Sequence, residues 1–192
     1  SFCFNSPIGQ ISNLVLGLPG LHNVENAVAA IALATLAGAQ DDEIRESLLS
    51  FRGNRRRFEF HLRTQEMVLI DDYAHHPQEI ATMLNSVRSL YPNRKLTVCF
   101  QPHLYTRTRD FADDFAKSLS IADRVFLLDI YPARELPIEG VSSSMLADKI
   151  EGNNKVSLTT KERLVEDLVA EPLEVVVVMG AGDIDRLLEP IA

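Results

Sequence analysis

From Phe58 onward the chain alternates short apolar runs with helical patterns, and this alternation constrains the fold more than any other feature. Strands are expected at Phe58 to Leu62, Met67 to Ile70, Leu96 to Phe100, Val125 to Leu128, Val156 to Leu158 and Val175 to Met179. Helices are expected to begin near Pro77, Thr108, Ser142, Lys161 and Asp183. The helix after Pro77 places Ile80, Met83, Leu84, Val87 and Leu90 at helical spacing, and proline suits a first turn because its missing N–H would be unpaired anyway. Near-continuous apolar strands separated by helices predict an α/β fold with a mostly parallel sheet covered on both faces. The first two of these strands are close in sequence and are expected to form a hairpin at one edge.

The preceding residues read as a separate unit. Two short strands, Phe2 to Phe4 and Ile11 to Leu16, are joined by a turn; an alanine-rich helix from Val24 to Ala37 stops at Gly38. Asp41 is expected to cap a second helix reaching about Ser50. Phe51-Arg-Gly-Asn-Arg-Arg-Arg57 then breaks the pattern, so domains are expected at 1–55 and 56–192. The chain opens in mid-pattern without an initiator methionine, and upstream sequence is expected.

Composition narrows the functional classes. A hydrophobic fraction of 46% and a charged fraction of 24% over 192 residues are those of an ordinary globular protein. The net charge of -8 argues against a general nucleic-acid or membrane surface. No apolar run approaches the roughly 18 residues that span a bilayer, and the start lacks the basic and apolar segments of a signal peptide. Cys3 and Cys99 stand far apart in no metal spacing, which suits a reducing cytoplasm.

Chemistry gathers after the strands. Ile70 is followed by Asp71-Asp72-Tyr73-Ala74-His75-His76-Pro77, Phe100 by Gln101-Pro-His103-Leu-Tyr-Thr-Arg107-Thr-Arg109, Leu128 by Asp129-Ile-Tyr131, and Met179 by Gly180-Ala-Gly182-Asp183. In a parallel sheet these ends share one edge, where ligands of open α/β folds bind. Each loop also has a plain structural reading. The aspartates can cap a helix and pair with arginines, and the histidines can be an N-terminal turn. Arg107 and Arg109 can be surface charges, although a cation at a helix start is disfavoured by the helix dipole and so points towards an anion. Asn23 and Asn26 can be a helix cap, or can pair with an adenine edge. Gly180-Ala-Gly182 reads as a tight strand-to-helix turn, since the third glycine of a dinucleotide fingerprint is replaced by Asp185. A metal site from Asp71, Asp72, His75, His76 and His103, as in a metal-dependent phosphohydrolase, would leave the tyrosine and arginines without a role.

Gly20-Leu-His22-Asn23-Val-Glu-Asn26-Ala, Phe51 to Glu59, Asp71 to Pro77, Phe100 to Asp110 and Gly180 to Gly182 together resemble the Mur ligases of peptidoglycan synthesis, over essentially the whole chain. The resemblance is strongest to members that join L-alanine to UDP-N-acetylmuramate. It implies a Rossmann-like C-terminal domain preceded by the end of a central ATP-binding domain, with the remaining domains on the same polypeptide. It implies ATP-driven amide formation through an acyl phosphate, with Mg²⁺ held by ligands outside this chain. No Gly-Lys-Thr/Ser phosphate loop occurs here, so the fragment alone is expected to be inactive. The resemblance places His22, Asn23 and Asn26 at adenine, Arg57 at the phosphates and Asp72 at the ribose. Tyr73, His75 and Arg107 would shape the amino-acid pocket, with Arg107 gripping the carboxylate. It leaves the catalytic base unassigned. Leu104 stands where many alanine-adding relatives carry arginine, which keeps open a ligase that adds an intact tripeptide to the same nucleotide sugar. A nucleotide-binding module without catalysis is a further alternative.

Overall fold

The computed structural model describes residues 1–7, 9–151, 155–189 and 191; the side chain of His22 lies outside the description. The chain divides into two compact units, Ser1–Asn54 and Arg55–Ala192.

In the first unit β1 (Phe2–Ser6) and β2 (Gly9–Leu14) form an antiparallel hairpin that closes at the Ser6–Gly9 pair. Pairing grows outward from that turn, so the second strand starts and ends earlier than its apolar run suggested. Helix α1 (Leu21–Leu36) begins at Gly20, whose φ of 101° suits glycine, and Asn23 therefore lies inside the first turn instead of before it. The helix ends as its Gly38 predicts: Gly38 and Ala39 N–H groups donate back to Thr35 and Ala34 in a Schellman motif. Helix α2 (Asp41–Ser50) is capped by Gln40, not Asp41. The Glu43 carboxylate accepts the Gln40 N–H at 2.8 Å, which leaves Asp41 in the first turn, where its charge favours the helix dipole. Phe4, Ile11, Leu14, Ala27, Ile31 and Ile44 make the core.

The second unit is a six-stranded sheet of order β3-β4-β8-β5-β6-β7, built from β3 (Glu59–Arg63), β4 (Val68–Asp72), β5 (Leu96–Phe100), β6 (Arg124–Leu127), β7 (Lys155–Leu158) and β8 (Val175–Met179). The edge strand β3 is antiparallel to β4 and all other pairs are parallel. The carboxyl ends of β4, β8, β5 and β6 are therefore adjacent on one edge, with the four polar loops side by side. Helices α3 (Pro77–Leu90), α5 (Ala112–Leu119) and α6 (Ser143–Ala147) contribute to the core on one face. Leu164 and Leu168 of α7 (Leu164–Val169) and Ile184 of the final 3₁₀ turn (Ile184–Leu187) pack on the other. The helix expected near Thr108 starts earlier, as α4 (Tyr105–Asp110), and breaks at Phe111 before α5. The helix expected near Lys161 starts at Leu164, because Lys161 reaches Asp183 from a preceding turn. No described helix is long and apolar enough to cross a membrane.

Candidate functional site

Strand β4 runs two residues further than its apolar core, through Asp71 and Asp72, and period-two alternation sends these neighbours to opposite faces of the sheet. Asp71 is 1% exposed and lies 3.5 Å from Arg56 Nε. Burial pushes its carboxyl up to about 6; Arg56 pulls it down, and the charges of Asp185, Glu59 and Asp72 add to the rise. Asp72 accepts the Phe58 N–H on one oxygen and the Ala74 N–H on the other, each at 2.8 Å. Burial raises its pKa, opposed by these two N–H groups and by Arg57. Asp72 thus pins both the loop it starts and the linker entering the unit.

Tyr73 donates its N–H to the Arg56 carbonyl at 2.8 Å, and its ring lies 5.0 Å from the Arg56 guanidinium and 5.8 Å from that of Arg57. Arg57 itself is exposed. His75 Nδ1 sits 2.9 Å from the Tyr73 carbonyl, which fixes Nδ1 as a donor and, in the neutral imidazole, leaves Nε2 as the acceptor. Glu79 accepts the N–H groups of His75 and His76 at 3.0 and 3.1 Å, and so shapes the start of α3.

Rings then connect the loops. Tyr73 meets His75 edge-on at 5.3 Å, His75 meets His103 at 6.1 Å, and His103 stacks on Tyr131 at 5.6 Å with 14° between planes. Arg107 Nη1 is 3.5 Å from His103 Nδ1. Burial, the Arg107 charge and His75 hold the His103 imidazole below its ordinary pKa, with Glu135 opposing. Backbone bonds clamp the two outer loops: Leu104 N–H donates to Tyr131 O at 3.0 Å, and Tyr131 N–H to Pro102 O at 2.8 Å. Leu104 adopts φ 74°, and Glu135 accepts the Thr106 N–H at 2.9 Å, so the first turn of α4 is fixed and Arg107 with it.

Tyr73, His75 and Arg107 are thus brought into one cluster by loops from two strands, and Asp72 and Arg57 border it. Arg109 is not in it: it is half exposed and paired with its neighbour Asp110. His76 caps α3 and packs against Phe111 at 4.8 Å. Asn23 donates its amide to Pro19 O at 2.6 Å, and Asn26 is exposed on α1. Sequence reasoning gives no individual site role to Arg56, Tyr131 or Gln101, and takes His103 as a candidate metal ligand and as part of the stretch that resembles the alanine-adding ligases. Arg56 was hidden in a run of three arginines, and Tyr131 lay in a loop already marked by its place after a strand. The five-residue metal group is not assembled: Asp71 turns away to Arg56 and Asp72 is held by backbone N–H groups. Among the described residues the group with metal-ligand proximity is Glu59, His61 and Asp71.

A sheet whose adjacent carboxyl ends carry arginines, imidazoles and a glycine turn is the ligand-binding layout of an open α/β domain. Residues 56–182 match the family described as Mur ligase, glutamate ligase domain. UDP-N-acetylmuramate--L-alanine ligase of Parabacteroides distasonis is 52% identical over 191 residues, covering 100% of this chain and 41% of the relative. The enzyme of the same name from Christiangramia forsetii is 52% identical over 190 residues, 99% and 42% of the two chains. The solved structure of UDP-N-acetylmuramate-alanine ligase from Thermotoga maritima superposes with a TM-score of 0.78 at 31% identity, over 93% of this chain and 38% of that one. Folylpolyglutamate synthase from Thermotoga maritima shares the fold, with a TM-score of 0.68 at 21% identity over 96% and 42%. The chain belongs to the Mur ligase family. It spans about two fifths of the length of the curated relatives it matches.

Proposed function

We propose that this chain is the C-terminal part of an ATP-dependent ligase that joins L-alanine to UDP-N-acetylmuramate in peptidoglycan precursor synthesis, in the cytoplasm. The observation that carries this reading is the Tyr73–His75–His103–Arg107 cluster at the sheet edge, in a chain half identical to alanine-adding ligases along its whole length. A carboxylate is a poor electrophile, and phosphorylation by ATP gives it a leaving group; the alanine amine then displaces phosphate. In this reading the Arg107 fork grips the alanine carboxylate. Tyr73 and His75 line the pocket, and His75 Nε2 offers an acceptor towards the ammonium group. Arg57, exposed beside Tyr73, meets the phosphates, and Asp72 the ribose. The first unit is the end of a central ATP-binding domain and supplies His22, Asn23 and Asn26 to adenine. Its α1 exposes Leu21, Leu33 and Leu36, as expected of a helix that other parts of such a domain cover. Mg²⁺ would neutralise phosphoryl charge. In this reading its ligands lie elsewhere in the polypeptide.

The test is Arg107→Ala in the full-length polypeptide. Loss of a charge-assisted pair should raise KM for L-alanine on the order of 30-fold and leave KM for ATP nearly unchanged. Equal losses for both would contradict the assignment. Leu104 favours a parallel measurement with the intact tripeptide as acceptor amine; preference for the tripeptide would replace alanine as the substrate.

A further inference from the structure

We infer that Arg56 is a positioning residue whose guanidinium staples the segment entering the second unit to the turn after β8, and so sets where Arg57 stands. Its Nη2 donates to Gly180 O at 2.5 Å and its Nη1 to Gly182 O at 3.2 Å, across more than a hundred residues of sequence. The same group lies 3.5 Å from Asp71 on β4 and 3.5 Å from Asp185 in the final 3₁₀ turn. Its side chain is 15% exposed. The backbone of Arg56 is tied as firmly: its N–H donates to Glu59 Oε2 at 2.7 Å, its carbonyl accepts the Tyr73 N–H, and φ is 57°. A residue held in the left-handed region at both main-chain groups is over-determined by its surroundings.

The chemistry requires arginine. Two carbonyls and two carboxylates from three separate segments are met by one planar fork, which a lysine ammonium on its flexible stem does not reproduce. Asp183 at the end of the turn is held by its side chain, through Lys161 and Gln101, but Gly180 and Gly182 have none to offer. A Cβ at Gly182 would stand 2.3 Å from Gln101 Oε1 and 2.8 Å from Tyr131 Cγ, so the turn offers its carbonyls. The three consecutive arginines thereby divide their labour. Arg56 spends its charge inside the unit, while Arg57, 5.8 Å from the same tyrosine ring, is exposed.

This inference rests on the proposed meeting of Arg57 with the nucleotide phosphates, and the experiment separates the two. Arg56→Lys, Arg57→Ala and the double variant are made in the full-length polypeptide, with KM for ATP and for L-alanine measured alongside thermal melting. Arg56→Lys is expected to melt within a few degrees of the parent yet raise KM for ATP on the order of tenfold, since small misplacements of a binding group cost that much or more. KM for L-alanine should change less than about threefold, a split that general destabilisation would not produce. The double variant should lose no more ATP affinity than Arg57→Ala alone, because Arg56 acts through Arg57. Normal ATP affinity in Arg56→Lys, or losses that add in the double variant, overturns the positioning role. An Arg57→Ala variant with unaltered KM for ATP overturns the phosphate reading instead.

Discussion

Asp71 shows how much one residue of strand length decides. In the sequence Asp71 and Asp72 look like an equivalent pair, and both were expected beyond the end of a strand. The ladder continues through them: Asp71 pairs with Glu59 on one side and Val178 on the other, so it is buried where a loop residue would be wet. In the folded state burial holds its carboxyl up at about 6, above the ordinary aspartate value. The folded state therefore binds the proton more tightly than the unfolded chain, and stability from this group rises as pH falls from about 6 towards 4. The groups facing it are Arg56, Glu59, Asp185, Asp72 and His61, so the signal is isolated by difference. The unfolding free energy of the parent, minus that of Asp71→Asn, should increase by on the order of 2 to 3 kcal/mol between pH 7 and pH 4. Denaturant titrations of both proteins across that range would show it, and a difference that stays flat would mean that Asp71 is not desolvated as the fold implies.

The turn after β8 illustrates what is and is not legible at the level of elements. Five consecutive apolar residues from Val175 to Met179 marked a buried strand, and Gly180 and Gly182 marked a tight turn after it. The strand's central place between β4 and β5 could not be read, because the order of strands in a parallel sheet depends on crossovers and not on local pattern. Nor could the reason for the second glycine: Gln101, 2% exposed and bonded to Asp183, fills the space beside it. Gly182→Ala is accordingly expected to cost about 1 to 3 kcal/mol by overpacking and to displace Tyr131, on which His103 stacks. Thermal melting would give the first effect and an increased KM for L-alanine the second. An alanine variant of parental stability would show that Gln101 yields at no cost. Helix boundaries were misjudged where side-chain contacts set them, as with Glu135, outside the helix, at the start of α4 and Glu43, reaching back from inside it, at the start of α2. Such long or reciprocal contacts leave no periodic trace in a sequence.

At the scale of the molecule the two units differ in what holds them together. The second has apolar clusters on both faces of its sheet, and Val175–Met179 are buried completely between them. The first has 54 residues, a core of six buried side chains among the described residues, and Leu21, Leu33, Leu36, Leu49 and Phe51 left largely exposed. A chain of that size buries only about 60% of the surface it exposes when unfolded and is marginal by itself. Opening should therefore proceed unit by unit, with the amides of α1 exchanging at a free energy well below that of the central strands. Native-state hydrogen exchange of the 192-residue chain, followed at increasing denaturant, tests this directly. Amides of β4, β5 and β8 should converge on the global unfolding isotherm of the second unit, while those of α1 and β2 should converge earlier on a separate, shallower one. A smaller slope is required as well as a smaller intercept, because the slope scales with the surface exposed on opening. A single isotherm shared by Ile31 and Val177 would mean that the two units unfold as one.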